Sequence, residues 1–134
     1  MLKCEGSSAG PTIRTLLLPV RNGSDLRFYY PDATIHCGPV KDDARVIDDP
    51  KVIFEVLSES KARADTGEKR MAYLTIATLE AYVLVDSTQR AVTVWRRQGA
   101  TWSHEVYCQP EARLTFINDE YQLLVGEIYE SSGL

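Results

Sequence analysis

The sequence is poor in the residues that build zinc sites and membrane spans. Its 134 residues include only three cysteines and two histidines, and no two cysteines have the close spacing of a zinc ligand pair. The apolar run Leu16–Leu18 stops at Pro19, far short of the roughly 20 apolar residues that cross a bilayer. These absences argue against a structural zinc domain and against a membrane protein.

Positive charge is also in short supply. Lys and Arg number 15 against 19 Asp and Glu, which gives a net charge of −4. This balance argues against a protein that coats polyanions in general, although a local basic stripe is enough to contact phosphates. Three cysteines cannot all pair with one another, and no secretion signal is visible after Met1. We therefore expect reduced thiols in a cytoplasmic protein.

Length and composition indicate one globular domain. The chain is long enough for a single core, and 44% apolar with 25% charged residues is ordinary for a folded protein. We expect one domain over residues 1–134. Residues 1–11 should be an irregular lead-in, because Gly6–Pro11 is rich in glycine, serine and proline.

Hydrophobic patterns predict strands separated by one main helix. Asn22-Gly23 is a turn signal, and Pro31 should interrupt the strand around it. The expected helix is Asp65–Ala77, and the expected strands are Thr12–Val20, Arg27–Cys37, Lys51–Leu57, Ala81–Val85, Ala91–Arg97, Thr101–Cys108 and Leu114–Ile117. This order predicts an α/β (α+β) fold with a mixed central sheet, one main crossover helix and flanking hairpins.

One of these strands places a carboxylate among aliphatic side chains. Side chains alternate across a sheet, so Ile53, Glu55 and Leu57 share one face. An unpaired buried carboxylate is unfavourable, and it is relieved by protonation, a cationic partner or a metal ion. Glutamate in a strand is otherwise typical of an edge or solvent-facing position, so both interpretations stay open.

Asp32 and Lys69 are the other candidates for the same site. Asp32 follows Pro31, a pair that is common in turns, but neighbouring strands could bring it to Glu55. Two carboxylates suffice for a hard cation such as Mg²⁺ when phosphate and water complete its shell. Lys69 either forms an ion pair with Asp65 on a solvated helix face or points towards the two carboxylates, and its spacing favours neither.

Several short motifs, taken in order, resemble one known family. They are Tyr29-Tyr30-Pro31-Asp32, Phe54-Glu55-Val56-Leu57-Ser58, Asp65-Thr66-Gly67-Glu68-Lys69 with Tyr73, Glu80-Ala81-Tyr82-Val83-Leu84-Val85, Val94-Trp95-Arg96-Arg97 and Glu127-Ile128-Tyr129. This series resembles the Uma-type restriction endonucleases of the PD-(D/E)xK nuclease superfamily. The resemblance implies a restriction-endonuclease-like central sheet and a divalent-metal site.

The resemblance also implies a role for each candidate. Asp32 and Glu55 would bind Mg²⁺ or Mn²⁺, with the main-chain carbonyl of Val56 as a further ligand. The superfamily usually has a lysine two residues after the glutamate, where this chain has Leu57. The Uma-type pattern has its lysine in the next helix, which corresponds to Lys69. Family members also carry more N-terminal helical sequence, and its shortening here would be compatible with a homodimer or with an inactive protein.

The resulting hypothesis is a metal-dependent DNA endonuclease, a hydrolase of phosphodiester bonds. Two groups of basic residues are candidates for contact with DNA or, alternatively, form solvated faces: Lys41, Arg45, Lys51, Lys61, Arg63, Lys69 and Arg70, and then Arg96 and Arg97 after Trp95. The main alternative is a catalytically inactive relative that acts as a nucleic-acid-binding or protein-interaction module. Hydrolysis of another phosphate ester at the same site is a third interpretation.

Overall fold

The computed structural model describes residues 11–14, 18–22, 24–29, 31–37, 49–58, 66–119 and 121–130. In chain order the elements are β1 Pro11–Arg14, β2 Leu18–Asn22, β3 Asp25–Tyr29, β4 Ala33–Cys37, β5 Val52–Leu57, α1 Thr66–Tyr73, β6 Ala81–Asp86, β7 Val92–Gln98, β8 Thr101–Tyr107, β9 Arg113–Phe116, β10 Tyr121–Leu124 and α2 Val125–Ile128.

A mixed sheet forms the centre of the molecule. Its six strands, counted within the described residues, lie in the order β1-β4-β5-β6-β7-β8. β5 and β6 are parallel, and the other neighbouring pairs are antiparallel. Parallel neighbours need a crossover connection, and α1 lies in the segment between them. The predicted mixed sheet with one main crossover helix is therefore confirmed.

Both faces of this sheet are covered by apolar side chains. The face that packs against α1 and the β2–β3 hairpin, called the α1 face below, has the core Leu18, Val20, Ile53, Tyr73, Leu79, Tyr82 and Leu84. The opposite face, called the α2 face, packs against α2 and the β9–β10 hairpin. Residues 81–85 of β6 are all buried, as their unbroken apolar run predicts for a central strand covered on both sides.

Three turns were predicted correctly, whereas the first strand was not. Asn22 pairs with Asp25 at the end of the β2–β3 hairpin, Pro31 separates β3 from β4, and residues 99–100 join β7 to β8. The single strand expected over Thr12–Val20 is instead divided between two sheets, because β1 pairs with β4 and β2 pairs with β3. Side-chain type indicates a strand but does not identify its partner. Pro11, expected in the lead-in, already belongs to β1.

The main helix is shorter than its sequence pattern indicates. It ends at Tyr73 rather than Ala77, and the Thr75 hydroxyl donates a hydrogen bond of 2.6 Å to the carbonyl of Ala72. A threonine that binds a nearby carbonyl in this way competes with helical hydrogen bonding. Within the described residues, no helix combines the length and the apolar character that crossing a membrane would require.

The expectation of three reduced thiols is wrong for Cys37. Cys37 is disulfide-bonded, whereas Cys108 is free and exposed. Disulfides are rare in reducing compartments. The thiols therefore no longer support a cytoplasmic location, which stays a prediction.

Tyr129 joins α2 to the central sheet. Its hydroxyl oxygen lies 2.6 Å from the carbonyl oxygen of Asp86 and 3.0 Å from that of Ala91, and it accepts the N–H of Ala91 at 3.3 Å. The residue is buried, so these hydrogen bonds form away from most of the competing water. They fix the helix beside the end of β6, where the candidate site described below is found.

Two glycines give a test of this packing. A Cβ at Gly126 would lie 3.0 Å from the carbonyl oxygen of Pro110, whereas a Cβ at Gly67 in α1 meets nothing within 4 Å. We expect Gly126→Ala to lower the free energy of unfolding by about 1–3 kcal/mol through overpacking. We expect Gly67→Ala to raise it by up to about 1 kcal/mol through lower chain entropy. Urea unfolding followed by circular dichroism measures both, and equal effects would contradict the packing of α2 against Pro110.

Candidate active site

Glu55 lies in the interior on the α1 face of β5. Glu55 is 3% exposed and lies between the buried Ile53 and the half-buried Leu57 on the same face. Glu55 is therefore not at an edge or solvent-facing position. A carboxylate in this position needs a donor or a positive charge, and α1 supplies both.

Lys69 brings the positive charge. Its Nζ lies 3.7 Å from Oε2 of Glu55, and its side chain is 24% exposed against 4% for that of Glu55. The other interpretation, a surface pair with Asp65, involves a residue outside the described ranges. The structure thus brings Glu55 and Lys69 together, as the resemblance implied, across the gap between strand and helix.

Tyr73 provides the donor from the next turn of α1. Its hydroxyl donates a hydrogen bond of 3.3 Å to Oε1 of Glu55. The ring packs edge-on against Tyr29 and Tyr82, with centroids 5.3 and 5.2 Å away. Burial and then the charge of Glu55 raise the pKa of Tyr73 far above its usual value, so the hydroxyl keeps its proton and remains a donor. Tyr73 is named in the motif series that resembles the family, but the sequence gave it no role.

Asp32 meets the same strand from the end of β4. Ala33 pairs with Phe54, so the chain at Asp32 reaches the level of Glu55 just beyond the paired part of β4. Oδ2 of Asp32 accepts the main-chain N–H of Val56 at 2.6 Å. The two acidic residues are therefore neighbours, but Asp32 is exposed and bonded in the plane of the sheet whereas Glu55 points towards α1.

The main chain of Val56 faces the side on which Asp32 lies. Hydrogen-bonding groups of successive strand residues point to opposite sides in the plane of the sheet. The carbonyl of Leu57 accepts hydrogen bonds from the N–H and the hydroxyl of Ser87 on the β6 side. The carbonyl of Val56 is consequently directed towards the β4 side. This direction fits its predicted use as a third oxygen ligand.

An open cavity of about 470 Å³ borders Asp32 on the α2 face. Its apolar walls include Phe54, Leu123 and Ile128, and its rim carries Asp86. Hydrogen bonds from the N–H of Thr88, and then from other groups of the turn, hold the pKa of Asp86 below its usual value. From the sequence, Asp86 falls between the expected strands Ala81–Val85 and Ala91–Arg97, and it was not predicted as a site residue. The available signal was its position after a strand parallel to β5, because the carboxyl ends of parallel strands lie at one edge.

The donor set suits a hard cation. Asp32, Glu55 and the Val56 carbonyl offer oxygen atoms only, which Mg²⁺ and Mn²⁺ prefer. Within the described ranges, no three side chains from His, Cys, Asp and Glu converge to hold a metal ion. A cation bound here would therefore take its remaining ligands from water and from substrate phosphate, as Mg²⁺ commonly does.

Comparison with known families decides the membership of the chain. The family model described as "Uma2: Putative restriction endonuclease" matches residues 7–125. The chain belongs to this family. No curated protein is significantly similar to the chain.

A solved structure supports the same fold. It is titled the crystal structure of "a putative nuclease belonging to DUF820" from Anabaena variabilis ATCC 29413. The match has a TM-score of 0.68 at 18% identity and covers 90% of this chain and 68% of that chain. The predicted restriction-endonuclease-like fold is therefore confirmed for this Uma2-family chain.

The basic residues expected near this Uma2 site have different partners. Lys41, Arg45, Lys61 and Arg63 lie outside the described ranges. Arg96 lies over the ring of Phe116 at 4.9 Å, on the α2 face. Arg97 donates hydrogen bonds to the carbonyls of Leu79 and Ile76, at 2.8 and 2.7 Å. Arg97 is thus used to hold the β6–β7 region together.

The buried ion pair can be tested without any assay of activity. Lys69→Met leaves the carboxylate of Glu55 buried without its cation, so we expect the free energy of unfolding to fall by about 1–3 kcal/mol. In a Glu55→Gln background the same substitution should change it little, because the buried group is then neutral. Urea unfolding of the four proteins in this double-mutant cycle measures the coupling.

Arg27→Met is the matched control for this cycle. Arg27 and Glu68 are closer, at 2.7 Å, but their side chains are 58% and 64% exposed. Exposed pairs contribute little, so this variant should lose less than about 1 kcal/mol. An equal loss from Lys69→Met in both backgrounds would show that Lys69 does not neutralise Glu55.

Proposed function

We propose that this Uma2-family protein is a divalent-metal-dependent endonuclease that hydrolyses phosphodiester bonds in DNA. In this proposal Asp32, Glu55 and the carbonyl of Val56 hold Mg²⁺ or Mn²⁺, and Lys69 acts beside them. The observation that carries it is the buried Glu55 carboxylate, held by Lys69 and Tyr73 next to Asp32. A buried carboxylate with a cationic partner and a hydrogen-bond donor is more typical of a functional site than of a solvated surface.

A divalent cation bound at this site would lower the pKa of a water molecule bound to it and would stabilise the negative charge that develops at phosphorus. The protein's part is to keep oxygen ligands ready. Tyr73 and Lys69 each bind one oxygen of Glu55, which fixes the orientation of this carboxylate. Asp32 accepts the N–H of Val56 through Oδ2. Rotation of its side chain between rotamers is the only motion needed to redirect its carboxylate oxygens relative to the main chain of Val56.

Lys69 has the reach to act on a reacting group. Its ammonium is a compact charge on a flexible stem, with three donors and only part of its surface buried. One donor can remain with Glu55 while another orients a water molecule or a phosphate oxygen. An ammonium held this way stabilises charge that develops in the transition state without further rearrangement.

Conservative substitutions test this assignment. We expect Asp32→Asn, Glu55→Gln and Lys69→Met each to lower the rate of plasmid nicking with Mn²⁺ or Mg²⁺ by at least about 100-fold. The Asn carbonyl can still accept the N–H of Val56, and the Gln carbonyl can still accept the Tyr73 hydroxyl. The substitutions at Asp32 and Glu55 thus remove charge and preserve these hydrogen bonds. Conversion of supercoiled to open-circular DNA measures the rate.

Glu111→Gln is the control, because Glu111 is exposed in a turn away from this site. It should nick plasmid like the wild-type protein, and EDTA should stop the reaction in both. Calorimetric titration with Mn²⁺ gives a second readout, in which Asp32→Asn should bind at least about tenfold more weakly. Equal nicking by wild type and the three site variants would point to a contaminant and end the proposal. Binding of DNA without any cleavage would favour the inactive-module alternative.

A homodimer is a second part of the proposal. Leu26 and Phe28 lie two residues apart on the same side of β3 and are 41% and 57% exposed, so they form an apolar patch that a second copy of the chain could cover. The organisation as one domain over residues 1–134 also stays a prediction. Light scattering coupled to size exclusion measures the mass of the particle, and a mass of one chain at micromolar concentration would contradict the dimer.

A further inference from the structure

The α1 face of the β7–β8 hairpin combines aromatic rings with positive charge. Trp95 and Arg97 of β7 lie directly opposite His104 and Trp102 of β8. With Arg70 from α1, these four residues form what we call the tryptophan surface. The strand positions on this face are residues 93, 95, 97, 102, 104 and 106, and none of them is acidic, although the whole chain has a net charge of −4.

Cations and rings are stacked on one another across this surface. The guanidinium of Arg70 lies 5.0 Å from the ring centroid of Trp95, and the ring of His104 stacks on Trp95 at 4.3 Å. The guanidinium of Arg97 lies 4.6 Å from the ring of Trp102. His104 is exposed and belongs to β8, the edge strand of the described sheet, so the stack is open to solvent on that side.

This surface lies on the same face of the sheet as Glu55. In the sheet register, Tyr82, Trp95 and His104 form one row across the strands, and Glu55 belongs to the adjacent row. β7 is two strands from β5, which is about 10 Å across the sheet. The neighbouring residues Lys69 and Arg70 of α1 reach Glu55 and Trp95 respectively. A short extended ligand could therefore contact both Glu55 and the tryptophan surface.

We propose that the tryptophan surface binds single-stranded nucleic acid next to the candidate active site. Unpaired bases offer flat faces that continue an aromatic stack, and their phosphates are attracted to guanidinium groups. Bases in a duplex have their faces covered by neighbouring bases, so an aromatic surface selects unpaired strands. This proposal rests on the proposed function for its biological meaning, but binding can be measured without cleavage.

The chain provides its own probe, because Trp95 and Trp102 are its only two tryptophans. A 12-nucleotide oligothymidine, titrated in EDTA so that no metal-dependent cleavage occurs, should change the intrinsic fluorescence in a saturable way. A duplex of equal length should bind more weakly. Absence of a saturable change, or tighter binding of the duplex, would overturn the proposal.

Variants locate the binding. His104→Ala and Arg70→Gln should each weaken binding of the oligothymidine at least about fivefold, because one stacked ring or one cation is lost. His104→Phe keeps a ring and should restore most of the affinity. Arg113→Gln is the matched control, since Arg113 is an exposed arginine on β9, bound to Gln122. It should bind like the wild-type protein, and wild-type affinity in both His104→Ala and Arg70→Gln would refute the location.

Poly-glutamate of similar charge distinguishes a nucleic acid from an acidic polypeptide. It has negative charge but no bases, so it should neither change the fluorescence nor displace the oligothymidine, and displacement at equal charge concentration would overturn the base-stacking argument. Because binding is measured in EDTA, it can succeed while plasmid nicking fails. Nicking that is lost in Asp32→Asn, together with wild-type affinity for the oligothymidine in His104→Ala and Arg70→Gln, would leave the proposed function intact and reject this surface.

Discussion

A buried carboxylate in β5 ties α1 to the central sheet. In an otherwise apolar environment, the charge of Glu55 would oppose folding unless a positive group and a donor met it. Lys69 and Tyr73 lie one helical turn apart and reach its two oxygens. The position of α1 is therefore fixed by electrostatics as well as by apolar packing, because a shift along the sheet would separate the charges. The same contact orients the carboxylate, so stability and the geometry of the site have a common origin.

The strand order places the second acidic residue, Asp32, beside the strand that carries Glu55. β4 runs antiparallel to β5, and its pairing begins at Ala33. The preceding Asp32 lies just outside the paired part of β4, and its side chain accepts the N–H of Val56 where a strand carbonyl would otherwise do so. Pro31, which lacks an N–H, lies just before it and cannot continue the pairing. The two acidic residues are thus neighbours where the antiparallel β4–β5 pair ends beside the parallel β5–β6 pair.

The sequence predicted features that depend on a single strand or turn. It was less informative about contacts that depend on how distant segments pack together. Burial of Glu55 was one of the two interpretations that its aliphatic neighbours left open, and it is the one found in the structure. The contact of Lys69 with Glu55 was not predictable, since it depends on how α1 packs against the sheet. Asp86, the last residue of β6, was missed because its position near Asp32 depends on the register of β6 against β5, which the sequence does not show. Arg97 follows a tryptophan in a basic pair, but the carbonyls that it binds come from a distant segment.

The candidate active site and the tryptophan surface differ in charge, so they interact differently with a phosphate group. Asp32, Glu55 and Lys69 together carry two negative charges and one positive charge, so a phosphate group is repelled from them unless a cation is present. The tryptophan surface has guanidinium groups and no carboxylate among its strand positions. A nucleic acid strand is consequently attracted to that surface in the absence of metal, and only its approach to Glu55 depends on a cation. Because Lys69 and Arg70 are adjacent in α1, one helix holds both sites at a fixed separation, which is the arrangement that a single bound strand needs.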